Sequence, residues 1–88
     1  MKLFDLLDYR AVVSYNKEQH YPFKVNLINT VTNTEVFYAE CVTIEQLCFV
    51  VHQELLHQDS CYVSPMQTLI AVDNMRNGLD LWMESLGE

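Results

Sequence analysis

Glycine is nearly missing from this chain: Gly78 and Gly87 are the only two. A phosphate cradle or dinucleotide loop needs several closely spaced glycines so that backbone N–H groups can approach the ligand, and that class of site is excluded. The sequence contains neither a GxSxG nucleophile elbow nor an HExxH metal helix. No apolar run approaches the ~20 residues of a membrane span. At the N-terminus, Asp5 and Asp8 fall where a secretion signal needs an unbroken apolar core. The three cysteines, Cys41, Cys48 and Cys61, show no CxxC spacing, and an odd count argues against a disulfide framework. These absences lead us to expect a cytoplasmic protein with reduced thiols.

Positive charge is the other scarcity. Five Lys and Arg stand against twelve Asp and Glu, a net charge of −7. Affinity for nucleic acid comes largely from Lys and Arg neutralising phosphates, so direct nucleic-acid binding is not expected. The imbalance is also uneven. Residues 1–24 hold Lys2, Arg10, Lys17 and Lys24 against Asp5, Asp8 and Glu18, a balance of +1. Residues 25–88 hold Arg76 alone against nine acidic side chains, a balance of −8. An acidic body suits a basic partner, since attraction speeds encounter. Acidity also simply keeps a small protein soluble.

Half the residues are hydrophobic in a chain of 88, which fits a single packed domain spanning residues 1–88. The stretch TIEQLCFVVHQELLH, Thr43 to His57, organises it. Thr43 and Gln46 form a capping box in which Gln46 is expected to reach back to the Thr43 N–H. Ile44, Leu47, Cys48, Val51 and Leu55 then repeat at one-face helical spacing, with Phe49 and Val50 widening the apolar face. Before this helix, Phe23, Val25 and Leu27 alternate with Lys24 and Asn26 as a half-buried strand does. VTNT offers Asn33 for a left-handed turn, and EVFYAECV returns with Phe37, Ala39 and Cys41 inward, leaving Val36, Tyr38 and Glu40 on the other face. AVVSY, from Ala11 to Tyr15, reads as a further strand. In the first nine residues, Leu3, Leu6 and Leu7 fit a short helix face, with a strand as the alternative. Cys61-Tyr62-Val63 reads as a short extended piece. Ser64, Pro65 and Gln67 start a second helix running through Met66, Leu69, Ile70, Val72 and Met75. Asn77-Gly78 is a stop signal, after which Leu79, Trp82, Met83 and Leu86 share one face, either of a last short helix or of a continuation. The expected fold is α+β: a small antiparallel sheet of about three strands with two to three helices packed on one face.

Cys48, His52 and His57 give C-x3-H-x4-H with Cys61 beyond, close enough for a zinc site in principle. Cys48 lies on the apolar stripe, however, where a free cysteine is ordinarily a small buried hydrophobe, protonated and inert. No metal, no cofactor and no enzymatic activity are therefore expected. Among the aromatics, Phe23, Phe37 and Phe49 fall on inward faces, whereas Tyr9, Tyr15, Tyr21, Tyr38 and Tyr62 sit beside polar neighbours. Tyrosine is favoured at interfaces, so Tyr38 with Glu35 and Glu40 forms one candidate partner-binding group. Asp73, Asp80 and Glu84, seven and four residues apart, form the other if the helix runs through.

A compact acidic α+β chain without catalytic or cofactor motif resembles the small phage-encoded inhibitors of bacterial defence systems, the anti-CRISPR proteins among them. The likeness lies in antiparallel strands followed by a Thr-x-x-Gln-Leu helix start, TIEQL here, over residues 23–55. It implies a non-enzymatic inhibitor acting in host cytoplasm on a basic, nucleic-acid-handling partner, and transfers no residue role. The chain equally resembles acidic immunity proteins that neutralise basic nuclease toxins. A third reading is a self-associating structural or regulatory domain, pairing as a homodimer through Leu79, Trp82, Met83 and Leu86.

Overall fold

The computed structural model describes residues 1–58 and 65–86. Strands β1 (Lys2–Leu6), β2 (Tyr9–Tyr15), β3 (Phe23–Asn29) and β4 (Thr34–Cys41) are followed by helices α1 (Ile44–Gln58) and α2 (Pro65–Leu86). The strands form one antiparallel sheet in chain order. The fold is thus α+β, with four strands and two helices among the described residues. Lys2–Leu6 takes the strand alternative because it pairs along its whole length with β2, from Lys2 opposite Val13 to Leu6 opposite Tyr9.

Cross-strand register sorts the side chains into two faces. Phe4, Ala11, Leu27 and Phe37 form one continuous row, and Val13, Val25 and Ala39 the next. Ala11, Val13, Val25 and Leu27 are fully buried, and the helices cover this face. Alternation breaks once. Leu27 faces Phe37 but Ile28 faces Glu35, so Val36 is the extra residue of a bulge. A bulge turns the following side chains over, and Val36, expected on the opposite face, packs against the core instead.

Two left-handed residues close the turns. Asn33 (φ 60°) serves the β3–β4 hairpin as its side chain permits. Leu7 (φ 63°) occupies the two-residue β1–β2 turn, a conformation costing a branched side chain roughly 1–3 kcal/mol. The turns are tied together, since the Asp8 carbonyl accepts both the Thr30 N–H and the Thr30 hydroxyl at 2.9 Å.

The α1 start has the expected cap with one change of partner. Thr43 Oγ1 accepts the Gln46 N–H at 3.0 Å, while Gln46 Oε1 accepts the N–H of Val42, at 2.8 Å, rather than that of Thr43. Val42 lies just past the last β4 pair, so its amide has no strand partner to compete. Leu47, Cys48, Val51 and Leu55 are the buried residues of α1. Phe49 is not among them: it is 63% exposed, a correction to its expected core position. Tyr9 departs in the opposite sense and is buried, because it enters β2 directly opposite Leu6.

Helix α2 begins at Pro65, and Ser64 and the Cys61–Val63 piece lie outside the described residues. It runs straight through Gly78. The reason is a close approach rather than a cap: a Cβ at Gly78 would sit 2.6 Å from Cε1 of Phe4 on β1. The buried stripe of α2 is Thr68, Val72, Met75 and Leu79, leaving Met66, Leu69 and Ile70 exposed. Glycine inside a helix costs about 1 kcal/mol against alanine, yet Gly78→Ala is expected to destabilise the protein by about 1–2 kcal/mol through overpacking. In a Phe4→Leu background the same change is expected to become neutral or stabilising, which a double-mutant cycle of urea unfolding measures. Equal effects in both backgrounds would contradict the contact.

Candidate functional site

The two candidate groups lie on different layers. Glu35, Tyr38 and Glu40 belong to β4 and are exposed on the sheet face away from the helices. There the Tyr38 hydroxyl donates to Glu40 Oε2 at 2.9 Å. This hydrogen bond, followed by desolvation and the Glu40 and Glu35 charges, raises the Tyr38 pKa above its ordinary value. The same face carries Asp5 opposite Arg10 and Lys24 opposite Glu40, with Arg10 Nε bound to Asp5 Oδ1 at 3.1 Å. Its charges are mixed, and the exposed pair contributes little to stability.

Asp73, Asp80 and Glu84 are exposed on α2, one to two turns apart because the helix is continuous. The helical layer is charge-polarised as the sheet is not. Across α1 and α2, Arg76 is the single Lys or Arg against Glu45, Glu54, Asp73, Asp80 and Glu84, a balance of −4. Across residues 1–43, Lys2, Arg10, Lys17 and Lys24 meet Asp5, Asp8, Glu18, Glu35 and Glu40, a balance of −1. The lone cation is already engaged, with Arg76 Nη2 3.1 Å from Glu45 Oε2. Asp73, Asp80 and Glu84 have no ion pair among the described residues.

That ion pair also shows how the helices lie. Glu45 at the start of α1 meets Arg76 midway along α2, while Phe49, further along α1, shares a groove with Leu69, nearer the start of α2, so α2 runs back along α1. Glu45 and Arg76 line two neighbouring depressions. One, about 460 Å³, extends to Phe23, Thr43, Ile44 and Asp80. The other, about 260 Å³, is an open groove between the helices with Cys48 and Val72 at its floor and Phe49 and Leu69 at its sides. Phe49 and Leu69 are the surface residues that sequence reading missed. The available signal was angular: Phe49 lies roughly 200° around the helix from Leu47, off the buried stripe.

The thiol chemistry follows from burial. Cys41 and Cys48 are buried free cysteines, and desolvation raises both thiols. For Cys48 the rise reaches about 11, with Arg76 opposing it and Asp80 and Asp73 adding to it. A protonated thiol is a poor nucleophile at neutral pH. Of the Cys/His cluster, Cys61 lies outside the described residues, and no group of three or more His, Cys, Asp or Glu side chains suited to a metal occurs among the described ones. No described helix is long and apolar enough to cross a membrane. The Leu79–Leu86 face is largely committed to the core. Leu79 is fully buried, Trp82 and Met83 are half-buried and pack on the core, and Leu86 is exposed. No family model, curated protein or solved structure matches this chain.

Because the folded Cys48 thiol titrates above its ordinary 9.0, its contribution to stability is complete below about pH 9 and lost as the pH rises through about 11. The thermal midpoint is expected to fall across that interval, and less steeply in Cys48→Ala. Parallel declines in the two proteins would contradict the assignment.

Proposed function

We propose that this protein is a small, acidic, non-enzymatic binding protein that inhibits a basic, nucleic-acid-handling partner by covering its surface, in the manner of phage-encoded anti-defence inhibitors. The observation that carries the reading is the polarised helical layer, where Asp73, Asp80 and Glu84 have no ion pair among the described residues and the single arginine of the two helices is engaged by Glu45. Unpaired exposed carboxylates on a rigid helix attract a basic surface over long range and need no reorganisation to meet it. The buried, protonated Cys48 supports a role in binding rather than in nucleophilic catalysis.

The six candidate residues divide accordingly. Asp73, Asp80 and Glu84 form the principal contact, and Glu35, Tyr38 and Glu40 offer a second surface on the opposite layer, with only one of the two facing a given flat partner. The test is affinity capture from bacterial lysate at low and high salt, with DNA as competitor. Basic nucleic-acid-binding proteins are expected to be retained at low salt, and released by salt or DNA. The triple variant Asp73→Asn/Asp80→Asn/Glu84→Gln is expected to lose about tenfold in affinity and much of the salt dependence. Retention of no basic protein, or binding indifferent to salt, would overturn the proposal.

A further inference from the structure

We infer that the open groove between α1 and α2 is the docking site for a basic segment of the partner that carries an apolar anchor residue, an inference that rests on the inhibitory reading above. The groove brings together exposed apolar side chains and carboxylates. Phe49 and Leu69 flank it at 63% and 41% exposure, one from each helix. Met66, one turn before Leu69 on α2 and also 63% exposed, extends the apolar strip. Around this strip carboxylates outnumber cations: Glu45 and Asp73 line the groove beside Arg76, whose charge Glu45 already meets, and Asp80 lines the depression beyond that ion pair.

Charge complementarity selects the occupant. A purely apolar ligand would leave the acidic rim desolvated and unpaired, which is costly. A second copy of this chain would bring its own −4 helical layer against the first, and like charges facing one another oppose association. A segment with Lys or Arg flanking a Leu, Ile or Phe satisfies both features. Its anchor fills the space between Phe49 and Leu69 above Val72, and its cations meet Asp73, Asp80 and the outer edge of Glu45. An arginine of the segment can also lie over the exposed Phe49 ring, a cation–π contact. The helical groove therefore supplies specificity where surface charge alone supplies only attraction. His52, the remaining polar side chain of the groove, can accept or donate a hydrogen bond at its edge.

The experiment uses a fluorescent amphipathic helical peptide of about 15 residues, Leu at i, i+3, i+4 and i+7 with Arg elsewhere. Two control peptides carry Ser for every Leu, or Glu for every Arg. The Leu/Arg peptide is expected to bind the intact protein in a salt-sensitive manner, at least tenfold more tightly than either control. Phe49→Ser and Leu69→Ser are each expected to weaken it about tenfold, whereas Glu35→Gln/Glu40→Gln on the far sheet face leaves it unchanged. Both groove residues are exposed, so circular dichroism and thermal unfolding should match the parent; Phe49→Leu, which keeps the apolar side, should restore most of the binding. Equal affinity for the Ser peptide, or indifference to Phe49→Ser, would overturn the groove assignment. So would a dimer in sedimentation equilibrium that Phe49→Ser dissolves, since a second copy would then be the occupant. If the basic proteins captured from lysate bind Phe49→Ser as well as the parent, the groove assignment fails while the inhibitory reading stands; if none is captured, the inhibitory reading itself fails.

Discussion

The structure depends on covering one face of a four-stranded meander. An antiparallel sheet with alternating side chains presents an apolar face that cannot remain in water, and among the described residues two helices cover it. Every other arrangement in the molecule follows from how that cover is fitted. The Thr43–Gln46 cap brings α1 off the end of β4 and onto β3 and β4. Helix α2 then returns along α1 and reaches β1 at the far edge. The last step needs a close approach, and Gly78 supplies it by leaving room for the Phe4 ring.

A cover of two helices leaves two outward surfaces of different character. The uncovered sheet face holds acidic and basic side chains in cross-strand opposition, Asp5 with Arg10 and Lys24 with Glu40. Such pairing neutralises the face locally and also discourages edge-to-edge misassociation. The helical layer has no such compensation. Its single arginine is held by Glu45, and the remaining carboxylates point away from the core with an apolar groove between them. The acidity of the chain is therefore directional, concentrated on the helical layer.

Much of the framework was legible in the residues. Phe23–Leu27 alternates, Asn33 sits where a left-handed turn residue is needed, and Thr43 with Gln46 caps a helix whose stripe is buried as its spacing predicts. The departures have local physical causes. Asn77-Gly78 carries the composition of a helix stop, but the same glycine serves equally where a neighbouring ring comes close, and only packing separates the two uses. Lys2–Leu6 is ambiguous because its apolar residues fit either periodicity, and pairing with β2 settles it. Tyr9 and Phe49 exchanged their expected places. A tyrosine beside charged neighbours was drawn inward by its register opposite Leu6, and a phenylalanine within an apolar run was turned outward by the pitch of the helix.

By itself, the sequence determined the class of the fold, the positions of most turns and caps, the excess of negative charge, and the exclusion of glycine-dependent phosphate sites. These are properties of neighbouring residues or of totals, and short-range sterics and counting suffice for them. Only the tertiary structure decided which side of the molecule the acidity occupies, that Asp73, Asp80 and Glu84 share a continuous helix, and that Phe49 and Leu69 flank one groove. The groove relation joins residues twenty positions apart in the chain. It arises from the direction in which α2 returns along α1, which is set by the shape of the buried face and not by any local preference of the chain.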